Sequence, residues 1–198
     1  MLVMPESANG RGMAVVRNWI LDNAGTERLV MADDDCTAFA RYENGERRRK
    51  SPAEIERFIE HGFRMAAEIG TVLWGVNQQF DPMFYREYSP FSLLSPILGP
   101  FMGIVKADIR FDERLPLKED YDFSLQVLNR YRRVLRFNAW HYMVGHLDMK
   151  GGCAASRTME AELEQMATFR RKWGPVVAET RKGRESVNPL VKWPVPGI

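Results

Sequence analysis

The stretch LVMADDDCTAF, residues 29–39, constrains the fold more than any other, because an apolar run stops abruptly at three adjacent carboxylates. Asp33, Asp34 and Asp35 repel one another, a cost that a cation, a helix N-terminus or open water must offset. RLVMA reads as a short buried strand, so the aspartates stand at its C-terminal end. In open α/β sheets that is where ligands bind. Asp33 and Asp35, two apart, can point the same way from an extended segment while Asp34 points elsewhere. Two hard oxygen ligands suit Mg²⁺ or Mn²⁺ held together with a substrate diphosphate. An ordinary acidic turn is the plainer alternative.

Other segments supply the rest of an α/β pattern. MAVVRNWILDN, residues 13–23, has helical spacing, with Gly25 as its stop. Asn44-Gly45 between alternating segments predicts a hairpin, since both residues tolerate positive φ. Ser51-Pro52-Ala53-Glu54 predicts a capped helix running to about Ile69. TVLWGV, FMGIVKADI and VLRFNAWHYMV read as strands, and KEDYDFSLQVLNRY as a helix with an acidic first turn. Thr158 can cap a last helix that ends before Gly174-Pro175. The expected organisation is one domain over residues 1–182, followed by an irregular proline-containing tail over 183–198 that lies on the surface or wraps as an arm.

Composition narrows the class. With 45% hydrophobic and 27% charged residues, the chain is expected to be globular and not disordered. A net charge of +2 does not identify a nucleic-acid binder, but the charge is gathered into two runs. One is Arg47, Arg48, Arg49 and Lys50; the other is Arg130, Arg132, Arg133 and Arg136. Solvated surface is the plain reading of both, and contact with a phosphate backbone the sharper one. Residues 88–105 carry no charge, yet Pro90, Pro96, Gly99, Pro100 and Gly103 break them up. A buried loop and strand is expected there, and no membrane span. Two distant cysteines, Cys36 and Cys153, suggest neither a disulfide framework nor a zinc site, and no signal-peptide pattern opens the chain. A cytoplasmic location is expected.

Further candidate groups follow. Glu119, Asp120 and Asp122 open a helix, where acids ordinarily serve as caps and dipole partners. The functional alternative is that one of them, Asp120 by preference with Glu119 beside it, takes a proton from an acceptor hydroxyl. Of three histidines, His61 and His141 read as structural, whereas His146 could supply an imidazole to a metal held by the aspartates. Gly151-Gly152 is either a flexible turn or a place where backbone amides approach phosphate oxygens.

In this order, GRGMAVVRNWILDNA, RLVMADDD, GPFMGIVKADI and KEDYDFSLQ, followed by a histidine and glycine loop, resemble a glycosyltransferase of the GT-A fold. VRNWI, ADDD, KEDYDF, VLRFN and GGC followed by Arg157 resemble, within that fold, the phage glycosyltransferases associated with TET-type DNA hydroxylases. The resemblance covers residues 10 to about 173. It implies a Rossmann-like mixed sheet flanked by helices. It also implies transfer of a hexosyl or N-acetylhexosaminyl group from a nucleotide-sugar, a UDP-sugar first, to a hydroxyl such as that of 5-hydroxymethylpyrimidine in DNA. Asp33 and Asp35 would bind Mn²⁺ or Mg²⁺ and the diphosphate, with His146 as a further ligand. Arg17 and Asn18 would lie near the nucleotide, Gly151, Gly152 and Arg157 at the diphosphate, and Asp120 would be the base. GT-A enzymes usually begin with a strand-helix-strand segment that this sequence lacks, so the resemblance implies either a compact variant, a piece of a longer protein, or a nucleotide pocket completed by another chain. A non-catalytic module binding nucleic acid or protein, and a nucleotidyltransferase, are the other readings of the same residues.

Overall fold

The computed structural model describes residues 4–5, 11–78, 85, 88–144, 158–174, 177–182 and 186–191. They form, in chain order, α1 (Met13–Asn23), β1 (Arg28–Ala32), β2 (Cys36–Glu43), β3 (Glu46–Arg49), α2 (Pro52–Ile69), β4 (Leu73–Asn77) and β5 (Phe91–Ser92). Then come β6 (Phe101–Val105), α3 (Glu119–Tyr131), β7 (Leu135–Val144), α4 (Met159–Trp173), β8 (Val177–Lys182) and β9 (Ser186–Val191). Two compact units divide the chain, one of residues 1–24, 110–123 and 148–198, the other of 25–109 and 124–147.

The second unit carries a seven-stranded mixed sheet of order β1-β6-β4-β7-β2-β3, with β5 also paired to β7. The β4–β7 pair is parallel and the others are antiparallel. A mixed sheet with flanking helices is the Rossmann-like α/β class that the sequence implied. Asn44 and Gly45 turn β2 into β3 with φ of 51° and 79°, as a two-residue hairpin requires. Helix α2 starts at the expected capping box, in which Glu54 accepts from the Ser51 backbone N–H at 2.9 Å, and stops at left-handed Gly70. Its buried Phe58, Phe63 and Ala66 join Trp74, Phe101 and Phe137 in one core. Trp74 meets Phe58, Phe63 and Phe101 edge-on at 5.7, 5.3 and 5.6 Å between ring centroids, contacts of about 1 kcal/mol each. Glycine makes room for the indole: a Cβ would fall 2.6 Å from it at Gly62 and 2.1 Å from it at Gly103. Ser124 of α3 ties that helix to the loop before β6, accepting from the Ile97 N–H at 3.0 Å and donating to its carbonyl at 2.7 Å.

The first unit holds α1, the start of α3, α4 and the β8–β9 hairpin. The Asn18 side chain clamps Phe111, donating to its carbonyl and accepting from its N–H, both at 2.9 Å. Phe111 in turn stacks on Phe123 at 4.2 Å.

Three sequence expectations are corrected. RLVMA is an edge strand with alternating burial, only one of its faces being covered, and Val30 is 38% exposed. The uncharged region is half inside: Ile97 and Leu98 are buried, but Tyr88, Leu93 and Leu94 are exposed. The tail is not irregular throughout, since residues 186–191 pair with β8. Pro189 fits there because both strands of a two-stranded sheet are edges.

Candidate functional site

Asp33–Asp35 form the whole connection between β1 and β2, at the carboxyl end of β1 as expected. The Asp33 N–H donates to the Pro100 carbonyl at 2.8 Å, and the Cys36 N–H returns to the Asp33 carbonyl at 3.1 Å, closing a tight turn. Asp34 is exposed, while Asp33 and Asp35 are half-buried. Oδ1 of Asp35 is inaccessible to solvent and has no hydrogen-bond partner among the described residues. Burial pushes the Cys36 thiol up, and the charges of Asp35 and then Asp33 push it further, so both carboxylates bear on that sulfur. A buried carboxylate oxygen without a donor costs on the order of 1–3 kcal/mol. A divalent cation would remove that cost, so this donor set fits one. Among the described residues no group of three or more His, Cys, Asp or Glu side chains gathers as a metal cage. Two carboxylates nevertheless match the way Mg²⁺ is commonly held, by one or two protein oxygens with substrate phosphates.

The acids that open α3 have different surroundings. Glu119 accepts from Arg17 Nη1 at 3.1 Å, both side chains being buried, and the Arg17 guanidinium lies 5.6 Å from the Phe111 ring centroid. Asp122 is wholly buried, accepting from Trp173 Nε1 at 2.8 Å and from Lys172 Nζ at 3.0 Å. Just before the helix, Lys118 pairs with Glu162, both buried. Asp120 is half-buried, and its Oδ1 accepts from the Tyr121 N–H at 2.7 Å. Burial, and then the Asp120 charge, push the Tyr121 phenol up to about 12.

The fold thus brings together Asp33 with Asp35, and Arg17 with Glu119. The aspartate turn belongs to the second unit, whereas Arg17, Asn18, Glu119 and Asp120 belong to the first. His146, Gly151, Gly152 and Arg157 lie outside the described residues. His141 is buried in β7, where desolvation, reinforced by Arg47, lowers it to about 4, in keeping with a packed structural ring. The second basic run serves structure in part: Arg130 donates to the Asp108 carbonyl at 2.8 Å and Arg133 to the Ile69 carbonyl at 2.9 Å.

Sequence reasoning missed two features. Cys36 carried no signal beyond its place after the aspartates. A cleft of about 420 Å³ in the second unit, lined by Arg41, Arg57, Phe91 and Trp140 among others, draws on four separate segments. Only the neighbouring run at residues 47–50 hinted at it.

At the level of class, fold and site define a mixed-sheet α/β protein with an acidic station past the end of a strand. The family model described as TET-Associated Glycosyltransferase matches residues 1–152, and the chain belongs to that family of glycosyltransferases. No curated protein and no solved structure matches it. No helix among the described residues is long and apolar enough to cross a membrane.

Proposed function

We propose that the chain is a metal-dependent glycosyltransferase that moves a hexosyl or N-acetylhexosaminyl group from a UDP-sugar to a hydroxyl, that of 5-hydroxymethylpyrimidine in phage DNA, in the cytoplasm of the host. The observation that carries this reading is the Asp35 oxygen, buried at the end of a strand with no donor among the described residues. Asp33 and Asp35 would hold Mn²⁺ or Mg²⁺, with His146 as a third ligand. Bound there, the cation supplies Lewis-acid assistance to the departing diphosphate.

The chain's own residues take the other tasks. Asp120 takes the proton of the acceptor hydroxyl as its oxygen bonds to the sugar's anomeric carbon and the bond from that carbon to the diphosphate breaks. Asp120 is favoured over Glu119 and Asp122 because it is half-buried, whereas both of those side chains are buried. Arg17 and Asn18 act by fixing the start of α3 and the Phe111 segment. The amides of Gly151 and Gly152 and the guanidinium of Arg157 receive diphosphate oxygens.

The test is calorimetric titration with UDP-glucose and UDP-N-acetylglucosamine, with and without Mn²⁺, beside UTP. Sugar-nucleotide binding only with metal is expected. Binding of UTP alone would move the reading to nucleotidyl transfer, and absence of any binding would leave a non-catalytic module or a pocket completed by another segment or chain.

A further inference from the structure

The cleft of the second unit is not part of the aspartate turn. Arg41 lies five residues beyond Cys36 on β2, about 17 Å at the rise of an extended strand. Its volume of about 420 Å³ falls in the range of small-ligand sites. Aromatic side chains form much of its wall. Trp140 stacks on Phe58 at 3.8 Å, and Phe91, 42% exposed, stands at the wall with its edge or face toward Phe137 at 5.6 Å.

The charges around this wall are unequally matched. Both lining carboxylates, Glu43 and Glu54, close on Lys50. Arg57 is exposed and has no ion pair among the described residues. Arg41 lies over the Trp140 ring at 5.9 Å, and its one carboxylate contact among the described residues, Glu43 at 3.8 Å, is partly solvated and of the kind that contributes little. The register sets Trp140, Arg41 and Arg48 in one row across β7, β2 and β3. Arginines directly opposite one another repel, which an anion laid across them would relieve. All four residues of β3, three of them arginines, are exposed. His61 at the same wall accepts from Arg64 through Nδ1 at 2.9 Å, so its neutral ring carries the proton on Nε2, a donor suited to a base carbonyl.

We propose that this cleft is a second nucleic-acid subsite, in which Phe91 receives a nucleobase beside Trp140, and Arg41, Arg57 and Arg48 receive the flanking phosphates. Aromatic platforms bordered by cations are how single strands are held without sequence preference. The inference rests on the DNA-acceptor half of the proposed function. It adds that the strand is also held away from the aspartate turn, at the far end of β2.

The experiment measures anisotropy of a labelled single-stranded thymidine 12-mer and of its abasic counterpart with the full chain. Wild type, Arg57→Glu, Arg41→Gln and Phe91→Ala are compared, with Arg171→Glu on α4 as the charge control. Arg57→Glu should weaken binding about tenfold and reduce the salt slope by about one, and Arg41→Gln should act in the same direction. Phe91→Ala should lower affinity for thymidine about fivefold or more and leave the abasic strand unaffected. The proposal is overturned if both arginine variants stay within twofold of wild type, if Arg171→Glu weakens binding as much, or if thymidine and abasic strands bind alike. Donor titrations on the same samples separate the two readings. Wild type that binds UDP-glucose with Mn²⁺ but no oligonucleotide overturns the subsite alone. Cleft-dependent oligonucleotide binding without any donor binding supports the subsite and leaves the proposed function with a non-catalytic module or a pocket completed by another segment or chain.

Discussion

Two acidic clusters, one tied to cations of the fold and the other holding a buried carboxylate oxygen without a hydrogen-bond partner among the described residues, separate a site from a scaffold in this chain. At the start of α3, Glu119 meets Arg17 and Asp122 meets both Lys172 and Trp173. At the end of β1, Asp35 buries an oxygen without a hydrogen-bond partner among the described residues, beside a thiol that both aspartates push up. Both clusters sit at element ends and both are rich in aspartate. What distinguishes them is whether burial of the carboxylate is accompanied by a cation belonging to the fold. Where it is, the acid stabilises the unit. Where it is not, the cost of burial is left for a ligand to offset.

The largest expected effects test the contrast directly. Asp35→Ala should abolish metal-dependent donor binding and leave the melting temperature unchanged or raised, because a buried oxygen lacking a donor disappears. Unchanged donor affinity by calorimetry would refute the assignment of the turn. Asp122→Ala should do the opposite, leaving Lys172 and Trp173 without their shared acceptor and destabilising the first unit by about 3 kcal/mol. Denaturant unfolding checks this, and a loss under about 1 kcal/mol would mean that the two clusters do not differ as argued.

A smaller effect is expected at Asp120, the half-buried member of the helical cluster, whose Oδ1 accepts from the adjacent Tyr121 N–H. Asp120→Asn keeps the side-chain oxygen that accepts that bond but cannot take a proton. Transfer should fall about 100-fold with donor affinity retained. Undiminished turnover in a radiolabelled-sugar assay would return Asp120 to helix capping and make the whole cluster structural.

Much of the local fold was legible in the sequence, and the illegible part has a physical cause. Local signals are written in short stretches: Asn44-Gly45, the Ser51 capping box, Thr158 and the strand end at Ala32 all appear where the sequence placed them. The pairing of Arg17 with Glu119, 102 residues apart, is not written locally, since an arginine in a helix and an acid at a helix start are individually ordinary. Nor is the edge position of β1, because RLVMA has the same composition whether one or both of its faces are covered. The cleft is harder still, assembled from side chains of four segments. The acidic turn could be located from sequence, but whether its burial is offset could not, because that depends on what the rest of the fold brings near.

Glu54 gives the smallest effect and sharpens the contrast from a third direction, as a half-buried acid whose partners are immediate neighbours. The Ser51 backbone N–H, then the Ser51 hydroxyl, then Lys50 hold its carboxyl down at about 2. A carboxyl lowered in the folded state contributes stability that is present above its ordinary value near 4.5 and is lost as pH falls from there toward 2. Glu54→Gln retains an acceptor for the capping box but removes the titration. The stability difference between wild type and this variant should therefore be greatest above about pH 5 and vanish on acidification. It should also shrink with added salt, since water and ions reach the carboxylate. A difference that persists unchanged to low pH would show that the hydrogen bond matters here and the charge does not. In that case the charge argument would have to stand on the buried clusters alone, where Asp122 has its cation and the Asp35 oxygen has no such partner among the described residues.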